Sequence, residues 1–485
     1  MVKRVRRHRP IRQTEARQKT GSAKVGPAVK LAEASAAILT GGVFVFFLLT
    51  GLVFVSGFLE GRIFCTLYDP PKAYFITAAV PFLAASYLFY LYCHPQERSA
   101  AARFLRFNFG LRLLGLWLLW LGGGCFLASV PILALSSLLS FVLLVLLAVV
   151  LSLLLQTSRW RWWALYGLLA GLAGFTIIGL LQAAGLQIPF LMPILGPAST
   201  FGYRNPAAHF ITLVIPFLVF VLWCFLRARR LLLATVSSVL GVGALFLLLA
   251  NYSRVGIMVL GLEVVGLPFF WFGFYRSDSH TLGGRRPFVR VLLAAFLLLF
   301  LIVAAVMVFP DSRARVCRSY ENFRRGGIAS LLEARYYHWG NTLMMIRDHP
   351  LSGIGPGNFR VVYPLYAASF ARDPLCNYQV QIYKAHNDYL QLAAECGIPA
   401  LLFFLLLLGR QFYLLRYPDE GEDGEEDGGG RRWNPDWRLP LAASLLAYSV
   451  IMFFSFPLQM AYSRMFFFFL IALGEARAWP ALLKR

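Results

Sequence analysis

The sequence predicts an all-α, polytopic membrane protein with about twelve transmembrane helices and one large, partly helical loop outside the membrane. Of the 485 residues, 59% are hydrophobic and only 14% are charged, and the mean hydropathy is +0.64. A soluble domain is closer to half apolar. The apolar residues form runs of about 20, long enough to cross a bilayer as a helix. Because backbone groups in lipid must be satisfied within the segment, these runs are predicted to be helices.

The candidate spans are twelve apolar runs. They cover residues 35–59, 73–93, 107–130, 132–155, 163–184, 207–226, 231–251, 255–275, 290–309, 389–415, 439–457 and 463–481. The first run is longer than the apolar region of a signal peptide and lacks a clear cleavage pattern, so we expect an uncleaved signal anchor. In the nearly continuous apolar stretch from 107 to 155, Pro131 is the break that separates two helices.

Arginines in the short loops predict the orientation of the chain, because cytoplasmic loops carry an excess of basic residues. Alternate loops hold most of them, at Arg98, Arg103, Arg106, Arg159, Arg161, Arg227, Arg229, Arg230, Arg276, Arg285, Arg286 and Arg290. We therefore expect both termini in the cytoplasm and the large loop on the outer side of the cell membrane. Residues 35–309 then contain helices 1–9, and residues 389–485 contain helices 10–12.

The N-terminal tail, residues 1–34, is strongly basic and contributes to a net charge of +23. Such a tail is typical of a disordered cytoplasmic segment attracted to anionic inner-leaflet lipids. Its first 30 residues contain no aromatic side chain on which a base would stack. We therefore expect membrane lipids as its partner and no nucleic acid.

Residues 417–437 form a second polar segment, in which acidic residues alternate with glycines. This composition is typical of a solvated flexible linker on the cytoplasmic side. The acidic run has no fixed geometry that would favour a metal site.

The loop at residues 310–388 has a different character, since it is rich in arginine and in aromatic residues. Arginine forks bind phosphate oxygens in pairs, and aromatic faces pack on sugar rings. The composition therefore suits an anionic ligand that contains sugars. Cys317 and Cys376 both lie in this loop, and the sequence leaves open whether they form a disulfide.

Four polar segments are predicted to lie on the same side of the membrane. They are residues 201–206, residues 251–256, residues 335–359 and residues 386–397. Their order and spacing over roughly residues 200–475 resemble those of the bacterial O-antigen ligases and O-antigen polymerases. The matching residues are Ser253, Arg254, Arg335, Trp339, His349, Pro350, Gly353, Gly355, Phe359, His386, Asn387, Glu395 and Gly397. One departure is Val255, where the family often has glycine.

The resemblance implies a GT-C-like membrane glycosyltransferase of the bacterial inner membrane with a periplasmic active site. Such enzymes transfer a glycan from an undecaprenyl-diphosphate carrier to a hydroxyl acceptor in the assembly of lipopolysaccharide or another surface polysaccharide. No nucleotide sugar, metal or other cofactor is needed, which agrees with the lack of a convincing Asp-x-Asp motif.

Three arginines are the candidates for binding the diphosphate, namely Arg254, Arg335 and Arg204. Arg254 is the strongest, because residues 251–254 are the only polar break between two apolar runs and hold it at the outer surface. An interfacial arginine can also simply extend to water. The resemblance favours diphosphate binding and a catalytic contribution.

His386 is the candidate catalytic base. It directly precedes a predicted helix whose N-cap is Asn387. The positive end of a helix disfavours a protonated imidazole, and a neutral histidine is suited to accept a proton from an attacking hydroxyl. Without the resemblance, an interfacial histidine bonded to the backbone is the simpler reading. His338 and His349 are the alternatives in the same loop.

Other residues are expected to support this site. Gly353 and Gly355 belong to a turn in which backbone amides are predicted to approach a ligand closely. Trp339 lies on the same helix as Arg335. Glu395 is expected to orient an arginine within the bundle. Asp388 is expected either to orient a ligand or to stabilise the helix N-terminus.

The sequence does not identify the acceptor. Lipid A core as acceptor would make the protein a ligase, a second lipid-linked glycan would make it a polymerase, and a protein hydroxyl would make it an O-oligosaccharyltransferase. A polysaccharide transporter is less favoured, because no repeated halves are visible and the polar segments lie on one side. A scaffold would not need the basic, aromatic loop.

Overall fold

The computed structural model describes residues 27–53, 69–186, 188, 191, 196–275, 303–304, 307, 310–332, 334–367, 381–419, 425–426, 432–433 and 435–483. These residues form fifteen α-helices and one pair of two-residue strands. The helices are α1 (Pro27–Leu52), α2 (Asp69–Cys93), α3 (Pro95–Phe107), α4 (Phe109–Phe126), α5 (Pro131–Leu154), α6 (Ser158–Ala183), α7 (Arg204–Arg227), α8 (Leu231–Ala250), α9 (Arg254–Tyr275), α10 (Pro310–Leu332), α11 (Ala334–Asp348), α12 (Phe359–Tyr366), α13 (Asp388–Leu414), α14 (Arg438–Phe454) and α15 (Ala461–Leu483). Strand β1 (Glu425–Glu426) pairs antiparallel with β2 (Arg432–Trp433).

The predicted all-α, polytopic membrane architecture is confirmed. Within the described residues, nine helices are long and apolar enough to cross a membrane: α1, α2, α4, α5, α6, α7, α8, α13 and α15. Helix α14 is apolar but shorter, and α9 covers the predicted span 255–275. The predicted span 290–309 lies almost wholly outside the described residues, so a total of twelve stays a prediction.

The break at Pro131 is present, but the segment before residue 107 differs from its prediction as a loop. Helix α4 ends at Phe126 and α5 begins at Pro131. Residues 95–107 form the additional helix α3, which begins with a proline in its first turn. Its buried residues Ala101 and Phe104 are three positions apart, and the Phe104 ring packs edge-on against Trp479 at 4.9 Å. The helix forms because this apolar stripe packs against the helix bundle and is buried there.

The helix ends define two faces of the bundle. The loop face carries the junctions α4–α5 and α8–α9, the N-termini of α7, α13 and α15, and the large-loop residues 334–367 and 381–388. The opposite face carries the C-termini of α13 and α15 and the N-terminus of α14. Helices α7 and α15 run through the centre, since most of their residues are buried.

Small residues bring α1 and α6 together. A Cβ atom added to Gly167 would lie 2.5 Å from the carbonyl oxygen of Phe44, and one added to Gly51 would lie 3.5 Å from Cα of Gly171. Close backbone approach at small residues is a common way for membrane helices to associate. The N-terminal helix is therefore an integral part of the bundle, and residues 27–34, predicted as tail, belong to it.

The acidic segment on the opposite face is more anchored than the predicted flexible linker. The Asp419 carboxylate lies 3.3 Å from Nη1 of Arg161 and 3.8 Å from Nη1 of Arg477. It also accepts the backbone N–H of Trp437 at 2.8 Å. Buried charge pairs thus fix the first end of the segment, a backbone hydrogen bond joins its last residue to the same carboxylate, and β1 and β2 pair between them.

Helix α13 is broken near its middle, and the break leaves backbone carbonyls without helical partners. Gly397 has φ +82° and ψ 165°, and Pro399 has no amide hydrogen to donate to Glu395. Donors from other parts of the chain form hydrogen bonds with these carbonyl oxygens instead. Ile354 N–H donates to the Ala394 oxygen at 3.0 Å, Gly355 N–H donates to the Glu395 oxygen at 2.8 Å, and Trp120 Nε1 donates to the Cys396 oxygen at 3.0 Å.

Ile354 and Gly355, which supply two of the three replacement donors, belong to the glycine turn, residues 351–358. Gly353 has φ +65°, and a side chain there would overlap the Glu395 backbone. Gly355 has φ +102°, and its Cβ would lie 2.7 Å from Cα of Ala128. The glycines therefore allow close approach, but to the broken helix α13 and the α4–α5 junction. The prediction that their amides approach a ligand is wrong, because α13 already accepts those of Ile354 and Gly355.

The Glu395 side chain completes this contact and does not orient an arginine as predicted. Its Oε2 accepts the N–H of Gly357 at 2.9 Å, and its Oε1 accepts the N–H of Phe359 at 3.3 Å. Gln391 Nε2 donates to the same Oε1 at 3.1 Å. These bonds satisfy both oxygens of a buried carboxylate, so Glu395 joins α13 to the start of α12.

We predict that Gly397→Ala destabilises the protein while Gly409→Ala on the same helix does not. The Gly397 backbone conformation is almost restricted to glycine, and a methyl group there would overlap the Leu351 carbonyl. The expected loss is about 3 kcal/mol in the free energy of unfolding. Gly409 has no atom within 4 Å of its added Cβ. Thermal unfolding in detergent measures both variants, and equal midpoints would contradict the assigned break.

Candidate active site

His386 lies between the large loop and α13, in an unusual backbone conformation. Its φ is +56°, a left-handed value that few non-glycine residues adopt. The imidazole stacks on His338 with a centroid distance of 5.8 Å and an interplanar angle of 21°. The Phe456 ring meets its other side edge-on at 4.9 Å. The ring is therefore held between α11 and the segment that joins α14 to α15.

These surroundings favour the neutral imidazole. Burial, followed by the positive charge of Arg335 and the neighbouring His338 and Lys384, lowers the pKa of His386 to about 3. The direction agrees with the prediction of a neutral histidine. The leading cause is removal from water, with a cationic neighbour, in place of the predicted effect of the helix end.

Helix α11 supplies three of the side chains around His386. Arg335, His338 and Trp339 occupy positions i, i+3 and i+4 and so share one face of the helix. His338 is buried and also packs edge-on against Tyr363 at 5.9 Å. Trp339 packs edge-on against Phe453 of α14 at 5.6 Å. One helix face thus presents a cation, an imidazole and an indole to the same region.

The start of α13 is tied down on two sides. Asn387 is the N-cap as predicted, with its Oδ1 accepting the Leu390 N–H at 3.0 Å. Asp388 Oδ2 accepts the Leu458 N–H at 2.6 Å, so Asp388 binds the chain before α15. This contact is neither of the two roles predicted for Asp388, since the carboxylate binds a distant backbone amide, and both roles stay predictions. The contacts of Asn387 and Asp388 together fix the backbone next to His386.

Arg254 occupies the predicted tight turn between α8 and α9. Tyr252 has φ +52° in this turn, and Ser253 Oγ donates to Asn205 Oδ1 at 3.1 Å and accepts the Gly256 N–H at 3.3 Å. Arg254 is the first residue of α9, is exposed, and donates from Nη1 to Ser319 Oγ of α10 at 3.3 Å. The turn therefore directs a guanidinium toward the large loop.

Arg204 begins α7 beside the same turn, through the contact of its neighbour Asn205 with Ser253. The candidate residues thus fall into two groups on the loop face. Arg335, Trp339, His386 and Asn387 surround one point, and Arg204 and Arg254 flank another. Within the described residues, no direct contact joins Arg254 or Arg204 to His386.

Sequence reasoning treated His338 as a rival to His386, whereas the structure brings the two rings together. The i, i+3, i+4 spacing of Arg335, His338 and Trp339 is the signal that would have grouped them. Phe456 and Phe453 carried no such signal, since they contact the site from a distant part of the chain. His349 is exposed at the turn after α11, and its structural role stays a prediction. Cys317 is an exposed free thiol in the structure, and Cys376 lies outside the described residues.

Comparison with known proteins shows which protein family part of the chain matches. The family described as O-antigen ligase matches residues 239–405. The range includes Arg254, Arg335, His386 and the glycine turn, but it is shorter than the predicted resemblance and leaves Arg204 outside. No curated protein matches the chain. Residues 239–405 therefore match the O-antigen ligase family, and this match supports the resemblance of the motifs to the O-antigen ligases and polymerases.

Proposed function

We propose that the protein transfers a glycan from an undecaprenyl-diphosphate carrier to a hydroxyl acceptor at the outer face of the bacterial inner membrane. The observation that carries the proposal is the half-buried His386 imidazole, packed between His338 and Phe456 within the residues that match the O-antigen ligase family. Burial and the charge of Arg335 lower its pKa and so favour the neutral form. In this arrangement both termini are cytoplasmic, and the loop at residues 310–388 is periplasmic.

The imidazole is the proposed general base. A hydroxyl oxygen of the acceptor attacks the anomeric carbon of the glycan, and the bond from that carbon to the diphosphate oxygen breaks. The hydroxyl proton passes to His386, and the bond electrons leave with the diphosphate. The rigid mounting of the ring between His338 and Phe456 supports this role, because proton transfer requires a fixed donor–acceptor geometry.

The leaving diphosphate requires positive charge, and arginine is the proposed source. Arg335 lies near enough to His386 for its charge to affect the imidazole. Arg254 projects toward the loop from a rigid turn, and Arg204 begins the adjacent helix. Guanidinium groups bind phosphate oxygens bidentately and keep their charge at any physiological pH. We therefore propose metal-independent chemistry.

An apolar groove offers a path for the lipid part of the donor. It has a volume of about 420 Å³ and is lined by Trp339, Asn387, Tyr389, Leu390, Leu401, Leu405 and Phe453. One end lies at the residues next to His386, and the other lies along the part of α13 that follows the break. An isoprenoid chain in this groove would hold its diphosphate close to Arg335 and His386.

The acceptor distinguishes the versions of this function. Lipid A core, a second lipid-linked glycan and a protein hydroxyl all present the same attacking oxygen. The ligase reaction is our leading version, because the matching family is described as O-antigen ligase. A polymerase or a protein O-oligosaccharyltransferase would use the same base and cations.

We predict that His386→Gln and Arg254→Ala each reduce glycan transfer at least 100-fold without preventing membrane insertion, since both remove a group that acts on the reacting atoms. The matched controls are His349→Gln and Arg347→Ala, because both residues are exposed in the same loop and lie outside the site. Transfer is measured with reconstituted protein and a lipid-linked oligosaccharide. Near-normal activity of either site variant would remove that residue from the mechanism.

The low pKa of His386 predicts an unusual pH profile. An ordinary histidine gains its proton near pH 6.5, whereas this one stays neutral until the pH approaches about 3. Thus kcat/KM should show no loss near pH 6.5 as the pH falls from 8 to 5. A bound diphosphate would offset the Arg335 charge and raise the pKa, so the acid limb of kcat should lie at higher pH than that of kcat/KM. An acid limb of kcat/KM near pH 6.5 would contradict the assignment.

A further inference from the structure

A second cavity on the loop face has a different lining from the groove beside His386. It has a volume of about 350 Å³ and lies between the outer end of α5, the glycine turn and residues 383–384. Arg360, Lys384 and Arg464 line it together with Ser137, Ser140 and Gln459. None of the candidate arginines Arg204, Arg254 and Arg335, nor His386 itself, contributes to the lining. This volume accommodates one sugar unit, since it lies within the range of small-ligand pockets.

The basic side chains of this cavity are not paired with acids. Lys384 Nζ donates to the neutral Gln459 Oε1 at 3.3 Å. The Arg464 guanidinium lies over the Phe141 ring at 5.3 Å, and its buried Nε has no hydrogen-bond partner among the described residues. Within the same residues, no carboxylate lies within 4.0 Å of Lys384, Arg360 or Arg464.

Three carboxylates lie nearby, and all are engaged with backbone amides. Glu395 lines the cavity but binds the amides of Gly357 and Phe359 and the Gln391 side chain. Asp388 accepts the Leu458 N–H, and Asp69 accepts the Ala461 N–H at 2.8 Å. Their charges act on Lys384 and Arg464 from a distance. The cavity itself therefore presents unpaired cations.

Arg360 is exposed, whereas Lys384 and Arg464 are half-buried. A cation that is partly withdrawn from water without an acidic partner is costly, and a bound anion would offset that cost. Burial lowers the pKa of Lys384, a shift that an anion in the cavity would reverse. The remaining lining is suited to hydroxyl groups. Ser140 and Gln459 offer neutral oxygens, and Ser140 Oγ donates only to the Ser136 carbonyl at 3.1 Å. The combination of cations and neutral hydrogen-bonding groups matches a sugar that carries an oxyanion.

We propose that this cavity binds a phosphorylated or carboxylated sugar of one of the transfer substrates, at a site separate from the diphosphate. The inference rests on the proposed function for the identity of the molecule that bears the sugar. Lys384 is two residues from His386, and Gln391 both lines the cavity and accepts the Ala385 N–H at 3.1 Å. A substrate anchored here would reach the imidazole with its next unit.

Binding of small probes tests the site without any transfer reaction. Full-length protein in nanodiscs is titrated with glucose 6-phosphate, glucuronate and glucose by calorimetry. We expect the two acidic probes to bind at least tenfold more tightly than glucose. Lys384→Met should weaken the acidic probes at least tenfold, Lys384→Arg should restore them, and Arg347→Met should leave binding unchanged, because Arg347 is outside the cavity. Equal binding of glucose, or no effect of Lys384→Met, overturns the proposal.

A second variant keeps the test valid if Lys384→Met does not fold. Ser140→Leu leaves every cation in place and fills the cavity from its half-exposed wall. We expect it to abolish binding of the acidic probes with an unchanged unfolding midpoint. Retained binding in this variant would contradict the location.

Transfer kinetics distinguish the source of the acidic sugar. Donors and acceptors with and without an acidic sugar are compared in the wild type and in Lys384→Met. A KM increase confined to acidic acceptors assigns the cavity to the acceptor, and one confined to acidic donors assigns it to the donor glycan. Probe binding without any transfer would sustain the cavity and refute the proposed function. Transfer without probe binding and without a KM effect would support the proposed function and refute the proposed sugar site.

Discussion

The break in helix α13 at Gly397 is the constraint on which the loop face depends. A broken membrane helix exposes backbone carbonyls that lipid cannot satisfy. Here the amides of Ile354 and Gly355 and the indole of Trp120 take the carbonyls of residues 394–396. Two further amides of this segment bind the Glu395 carboxylate. The large loop is thereby attached to the bundle through a set of hydrogen bonds between mostly buried residues.

This attachment determines the geometry around His386. Helix α11 leads directly into the glycine turn, so the turn sets the position of Arg335, His338 and Trp339 relative to α13. On the other side, Asn387 and Asp388 fix the start of α13 to its own first turn and to Leu458. The imidazole lies where these two fixed elements meet. The lowered pKa of His386 is a consequence of this packing, since burial and the Arg335 charge act in the same direction.

Much of the fold was readable from the sequence because each signal was local. Runs of about 20 apolar residues predicted the helices, Pro131 predicted the break between α4 and α5, and Asn387 was recognisable as an N-cap. The features that were missed depend on partners far away in the chain. Asp419 appeared to be part of a solvated linker, but its partner Arg161 is 258 positions away. Glu395 appeared to need an arginine, but it binds amides of a turn that precedes it by 36 to 38 positions.

The glycine turn shows the same limit in another form. Its glycines correctly indicated close approach of the backbone, but a sequence does not say to what. Pro399 indicates that the Glu395 carbonyl has no helical N–H donor. The amide that replaces this donor belongs to Gly355, in a distant segment of the chain. The cavity beside Lys384 could not be predicted either, because it combines residues from α5, the glycine turn, α13 and α15. No single stretch of the chain carries its pattern of cations and hydroxyl groups.

The most direct test of the account is to follow the carrier itself. The reconstituted wild-type protein is given an undecaprenyl-diphosphate oligosaccharide, with and without lipid A core, and released undecaprenyl diphosphate is quantified beside the glycan products. The account predicts one released carrier for each glycan transferred. A single conjugate that requires lipid A core identifies a ligase, and a ladder without it identifies a polymerase. A carrier that keeps its glycan with every acceptor supplied, or crosses the membrane unchanged, would contradict the account.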